Sequence, residues 1–339
     1  MVRVREQITV STVFSTLLLI FFWLVSGDAG ISHTWQGTTG NDSPGISYEQ
    51  GIPLHLNEKN DVYTSHIPLS ESDTERQKHA PGLLHRVENR SVLSSSSPIV
   101  THTELPESFD WRNDNGDWTT QVKDQGEECG SCWAYAAVGI LESHLKIVSK
   151  NPNLSPDLSE QYLLSCDWDD DGCDGGDFET AMAYLVDTPG PDGRIGTVNE
   201  SVYPVDNIDD SCADLGNATR YKAGHWAYVN ASAEDDAEMA IPRVDEIKTA
   251  IYLKGPVAAG VDDDDEFDEY EGGIFSSTAP PPEETTNHAV ILVGWGHENG
   301  TEYFIGKNSF GTEWGEDGWF RIAVNSSRVG EGAVYLDEE

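Results

Sequence analysis

Positive charge is what this chain most lacks. Its 339 residues hold 20 Lys and Arg against 60 Asp and Glu, a formal net charge of −40. A surface of that sign repels phosphate backbones, so nucleic acid is excluded as a partner. Cysteine is scarce as well. The five are Cys129, Cys132, Cys166, Cys173 and Cys212, and everything after Cys212 must fold without a disulfide of its own. An odd count leaves at least one thiol outside any intrachain bridge. Long apolar runs are missing after Val25. The one present, Val10–Val25, follows Arg3 and Arg5 and ends in Ser26-Gly27-Asp28-Ala29-Gly30. That layout predicts a secretory signal peptide over residues 1–29 and a secreted product. The run falls a little short of the roughly 20 residues a membrane span requires. An uncleaved anchor is the alternative, and only through it would this protein meet a membrane.

The acid is unevenly placed. Residues 105–339 carry 49 acidic and 13 basic side chains, whereas residues 1–104 carry 11 and 7. It gathers in patches at Asp169–Asp171, Glu234–Asp236 and Asp262–Glu266, which read as solvated surface. Self-repulsion on this scale opposes a compact state unless salt screens it, and in molar salt the Debye length falls to about 3 Å. A halophilic source is the simplest explanation. Calcium is the rival reading of the acidic runs. Asp167-Trp168-Asp169-Asp170-Asp171-Gly172 lacks the closing Glu of a calcium loop, so no metal and no cofactor is expected.

Three regions follow from composition. After the leader, residues 30–104 are polar and rich in Ser, Thr, Gly and His, which reads as a pro-segment or linker. Within them only Asp73–Asn89 suggests a helix, with Leu83, Leu84 and Val87 as a stripe and Pro81-Gly82 interrupting it. From Ser131 to about Asp187 helical spacing dominates, with short helices expected at Ser155–Leu164 and Asp177–Val186. Strand signals then take over at Gly224–Val229, Pro256–Val261, His288–Trp295, Thr301–Lys307 and Gly318–Ala323, with one helix at Val244–Leu253. Helices followed by mostly antiparallel strands predict an α+β protein.

The chemistry centres on Cys129-Gly130-Ser131-Cys132-Trp133. From Cys132 onward Trp133, Ala134, Ala137, Val138, Leu141 and Leu145 recur at helical spacing, so Cys132 opens a helix. The positive end of the helix dipole there favours thiolate, the nucleophilic form. A redox Cys-x-x-Cys pair or half a zinc site is the competing reading. Cys166 and Cys173 do not supply the spacing of a second half-site, and neither alternative accounts for the segments downstream.

Those segments carry a resemblance. Gln125-Gly126 with Cys129-Gly130-Ser131-Cys132-Trp133-Ala134-Tyr135 is similar to the nucleophile segment of the papain-like cysteine peptidases. Asn287-His288-Ala289-Val290-Ile291-Leu292-Val293-Gly294-Trp295-Gly296 resembles the histidine strand of that family. Lys307-Asn308-Ser309-Phe310-Gly311-Thr312-Glu313-Trp314-Gly315 resembles its asparagine segment. Leu105-Pro106-Glu107-Ser108-Phe109-Asp110-Trp111-Arg112, Leu158-Ser159-Glu160-Gln161, Gly172-Cys173-Asp174-Gly175-Gly176 and Glu271-Gly272-Gly273-Ile274-Phe275 fit in family order. The likeness covers essentially everything after Leu105.

The resemblance implies a two-lobed peptidase domain over 105–339, with a helical lobe at about 110–215 and an antiparallel, β-barrel-like lobe at about 216–330. The cleft between them would bind protein or peptide substrates. Cys132 would be the nucleophile, His288 its ion-pair partner and proton donor, and Asn308 the group that orients the imidazole. Gln125 would complete the oxyanion hole. Gly175, Gly176, Asn287 and Trp314 would contact substrate. The bridges implied are Cys129–Cys173 and Cys166–Cys212, and the family's usual third bridge has no cysteines here. Residues 30–104 would act as the chain's own inhibitor, although the long helical motif of the larger propeptides is not evident.

Two departures stand out. Glu127-Glu128 inserts one residue between Gln125 and Cys132, and Phe310 replaces the tryptophan that normally shields the Asn–His bond. The expected activity is a secreted endopeptidase adapted to high salt. A catalytically silent binding module with the same fold is the alternative, and an acyltransferase of transglutaminase type is a third reading.

Overall fold

A computed structural model describes residues 79–84, 104–229, 240–277 and 286–338. The leader, most of 30–104 and the acidic patch Glu234–Asp236 lie outside the described residues.

In chain order the elements are β1 (Phe109–Asp110), α1 (Cys132–Val148), α2 (Gln161–Cys166), a 3-10 turn at Gly172–Asp174, α3 (Phe178–Val186), β2 (His225–Tyr228), α4 (Val244–Lys254), β3 (Val257–Val261), α5 (Asp265–Asp268), β4 (Ile274–Phe275), β5 (His288–Glu298), β6 (Thr301–Lys307), β7 (Trp319–Ala323) and β8 (Glu331–Asp337). The predicted α+β class is the one observed. Helices fill the first half, and an eight-stranded sheet, mostly antiparallel, fills the second.

The period of two along the strands sorts their side chains into two cores. On β5, Ala289, Ile291 and Val293 join α1 and α3, while Val290 and Leu292 face the core containing Ile247 and Ile251 of α4. On β8, Val334 and Leu336 go to the first core, Ala333 and Tyr335 to the second. The central strands therefore have no solvent face and read as unbroken apolar runs. Helix α1 is buried on nearly every side for the same reason, lying between the sheet and the other helices. It touches β5 at Gly139, where a Cβ would stand 2.4 Å from Ile291 Cδ1. Glycine in a helix interior costs about 1 kcal/mol relative to alanine, and here it permits that close approach.

Three expectations need correction. The sheet is not a closed barrel: its path β2-β8-β3-β5-β6-β7-β4 is open, with β1 attached to β5. Register shifts between Ala258 and Gly260, and between Leu292 and Gly294, bend it without closing it. Edge strand β2 instead buries Trp226 and Tyr228 against the core that α3 shares. The helix suggested over Asp73–Asn89 is not helical in its described part, because Pro81-Gly82 fits extended backbone and Leu83 bridges to Gly176 in parallel. The acidic runs are not uniformly solvated either. Asp170 is buried and accepts hydrogen bonds from the Asp177 amide and the Thr180 hydroxyl at the start of α3, and Asp263 is only 4% exposed.

Candidate active site

Cys132 is the first residue of α1, fully buried, and the one cysteine outside a disulfide. Cys129 pairs with Cys173 and Cys166 with Cys212, as the resemblance implied. The first bridge ties the loop before Cys132 to the turn that carries Gly175. The Gly130 amide adds a hydrogen bond to the Cys173 carbonyl, 2.9 Å.

Strands β5 and β6 position the base. Their antiparallel register pairs Ile291 with Lys307, which sets His288 at the start of β5 beside Asn308, just past the end of β6. His288 Nε2 lies 2.8 Å from Asn308 Oδ1, and both residues are buried. That contact assigns the proton to Nε2, since the amide oxygen can only accept. Nδ1 is buried with no hydrogen-bond partner. Phe310 covers the imidazole at a centroid distance of 4.7 Å, and Trp314 packs edge-on behind Phe310 at 5.5 Å. Trp314 also donates from its indole nitrogen to the Asp268 carbonyl, 2.8 Å. It also packs on Phe267, Tyr270 and Phe320. His297, near the far end of this strand, is exposed.

Gln125 is fully buried despite the extra residue that follows it. Glu127 and Glu128 are exposed, and Gly126 turns with φ of 73°, so the insertion bulges outward. The Gln125 side-chain oxygen accepts from the Ser309 hydroxyl at 2.7 Å. Its amide nitrogen donates to the carbonyls of Cys129 (3.1 Å) and Ala80 (3.2 Å).

Ala80 belongs to a segment, residues 79–84, that crosses over Cys132. The amides of Gly82 and Leu83 donate to the Asn287 carbonyl at 3.2 and 3.0 Å. Leu84 donates to the Gly176 carbonyl, and Gly176 donates back to Gly82. Gly175, at φ of 121°, makes room for this strand: a Cβ there would sit 2.8 Å from Leu84 Cγ and 2.9 Å from the Gly82 carbonyl oxygen. At the other end, His79 stacks on Phe310 and contacts Asp268. The segment thus runs from Phe310 toward Gly176.

This cover sets the electrostatics. Burial pushes the Cys132 thiol up to about 12, with backbone groups of Ala289, Gly82 and Trp133 pulling it down. Burial pushes His288 down to about 4, against the hydrogen bond it donates to Asn308 and with the charge of His79 adding to the fall. Desolvation thus opposes the charged form of Cys132 and of His288 beneath the segment.

Sequence reasoning passed over several neighbours. Lys307 is buried beside Asn308, donates to the Thr120 hydroxyl at 3.1 Å, and is pushed down to about 8 by burial. Glu160, pushed up to about 8 by burial, accepts a 2.8 Å hydrogen bond from Lys123. His79, Asp263 and Asp268 were also missed, and only the low exposure of each in the fold singles them out.

The sequence pattern of the papain family cysteine protease matches residues 105–335. A viral cathepsin of Spodoptera litura multicapsid nucleopolyhedrovirus is 38% identical over 226 residues, covering 66% of this chain and 59% of its own length. Cathepsin L of Sarcophaga peregrina is 35% identical over 247 residues, covering 71% and 65%. The chain thus spans about three fifths of the viral relative it matches. Among solved structures, procathepsin L2 from Tenebrio molitor larval midgut superimposes with a TM-score of 0.62 at 28% identity, covering 79% of this chain and 80% of that one. Bromelain from Ananas comosus, in complex with the E64 inhibitor, gives 0.57 at 28% identity over 69% of this chain and 100% of its own. With its match extending over most of the length, this chain belongs to the papain family of cysteine peptidases.

Proposed function

We propose that residues 105–339 are a secreted papain-like endopeptidase adapted to high salt, and that residues 30–104 are its pro-segment. The observation that carries the reading is the buried set of Cys132 at a helix start, His288 bonded to Asn308, and a free Nδ1 on the imidazole. Once the cleft is uncovered, water and substrate dipoles relieve desolvation, and the proton passes from Cys132 to His288. The thiolate attacks the peptide carbonyl, and His288 returns its proton to the leaving amine. Asn308 holds the ring in one tautomer. Gln125, whose amide nitrogen already donates to the carbonyl of Ala80, would donate with the Cys132 amide to the developing oxyanion.

The extended segment 82–84 supports the pro-segment reading. A substrate places its leaving amine next to His288 and its acyl residues along Gly176. Residues 79–84 run the opposite way along the chain, so the cleft is filled without a peptide bond being set for attack. The two disulfides fit an oxidising compartment. No helix among the described residues is long and apolar enough to cross a membrane.

The test is hydrolysis of fluorogenic peptides in molar salt with reductant, before and after trimming to Leu105, beside Cys132→Ala. Turnover that rises on trimming and vanishes in the alanine variant is the expected result. A folded, trimmed protein with no turnover would favour the silent binding module.

A further inference from the structure

The proton of the leaving amine comes from His288, so the first substrate residue beyond the scissile bond lies beside His288 and Phe310. In the covered state that place is taken by His79. Its ring lies on Phe310 with centroids 3.7 Å and planes 6° apart, and its Nδ1 is 2.8 Å from Asp268 Oδ1. His79 and Asp268 are each 5% exposed. Asp263 stands close by. Its charge is felt at the Cys132 thiol, and its backbone amide and carbonyl are bracketed by the Asn287 side chain at 2.8 and 3.1 Å. Asp263 Oδ1 is buried with no hydrogen-bond partner. Burial, and then the proximity of Asp268 and Asp264, push the Asp263 carboxyl well above its ordinary range.

We propose that this place, floored by Phe310 and walled by Asp268, selects substrates with a cationic side chain directly after the scissile bond. His79 is the chain's own occupant of it, and the inference rests on the peptidase reading above. An aromatic face attracts a cation, and a buried carboxylate binds one through charge-assisted hydrogen bonds. Burial shields these contacts from salt, so they persist where surface ion pairs fade. A leucine in the same place would bury the Asp268 carboxyl without replacing the bond that His79 makes.

The experiment uses quenched peptides identical except for Lys, Arg, His, Leu or Glu after the scissile bond, with protein activated from the full chain. Lys and Arg are expected to exceed Leu in kcat/KM by about tenfold, the scale of one charged hydrogen bond, with Glu lowest. In Asp268→Asn the Lys-to-Leu ratio, which each variant supplies for itself, is expected to fall within threefold. A ratio below three in the unmutated protein, or one unchanged by Asp268→Asn, overturns the proposal. A second measurement needs no variant. Lysinamide and leucinamide compete to attack the acyl-enzyme; the amine nitrogen bonds to the thioester carbonyl, its proton passes to His288, and the carbon–sulfur bond breaks to release the Cys132 thiolate. Lysinamide should capture about tenfold more acyl group, and equal capture overturns the proposal. A coumarin amide, which has no residue after the scissile bond, separates the two readings. Turnover of it without preference among the peptides sinks this inference alone, whereas silence sinks the peptidase reading and this one with it.

Discussion

Leu83 is the most informative place to perturb the covered state. Its side chain is 5% exposed and belongs to the core that includes Trp133 and Ala137, whereas its amide bonds to Asn287 and survives any substitution but proline. Leu83→Ala therefore removes side-chain burial and leaves the backbone ladder intact. Leu→Ala in a packed site costs about 2–5 kcal/mol, and the low end applies where the vacated space opens to solvent. About 2 kcal/mol raises the fraction of molecules with the cleft uncovered by roughly thirtyfold. Cys132 is fully buried, so a thiol reagent reaches it only from the uncovered state. When opening and closing are fast, its labelling rate follows the uncovered fraction. Iodoacetamide should thus modify Cys132 of full-length Leu83→Ala about thirtyfold faster than the parent, with the thermal midpoint of the peptidase domain unchanged. A rate increase below threefold, or an increase that tracks a fall in thermal midpoint, would refute local uncovering.

Other outcomes follow from the same geometry. Asn308→Ala removes the acceptor that fixes His288 and should lower kcat about tenfold to hundredfold in activated protein, the range of one charged hydrogen bond, with a smaller change in KM. His288 is held at about 4 against an ordinary 6.5, so the unfolded chain binds more protons between those values. Its contribution to the covered state is present above pH 6.5 and is lost as pH falls toward 4, by about 3 kcal/mol in all. Melting curves across that range should show the loss, and His288→Gln should flatten it. Replacing Cys129 and Cys173 together by serine should cost about 2–5 kcal/mol, read as a lower midpoint in denaturant.

Much of the site was legible because its chemistry is concentrated in short local patterns. The helix starting at Cys132, the strands at His288 and Thr301, and the asparagine beyond Lys307 all announce themselves by spacing and punctuation. Strand β8 did not. Ala333, Val334, Tyr335 and Leu336 are buried on both faces, so the alternation that marks a strand is absent. The acidic stretch from Asp262 misled for a different reason. Composition gives the charge of a run but not which members the fold turns inward, and Asp263 and Asp268 are turned inward by β3 and α5. The segment at 79–84 was masked by a weak helical stripe through Leu83 and Leu84. Its extended form depends on partners such as Asn287 and Gly176, which lie far away in sequence.

Both disulfides fasten the helical side, while the sheet that carries His288 and Asn308 has no covalent crosslink. Nucleophile and base are thus secured by different kinds of bond. The thiol stands on a scaffold with two covalent ties; the imidazole stands on one held by burial, hydrogen bonds and ion pairs such as Lys248–Glu302 and Lys254–Asp337. If salt balances the acid load as proposed, dilution is expected to loosen the sheet before the disulfide-tied helices, and activity to fade before the fold does.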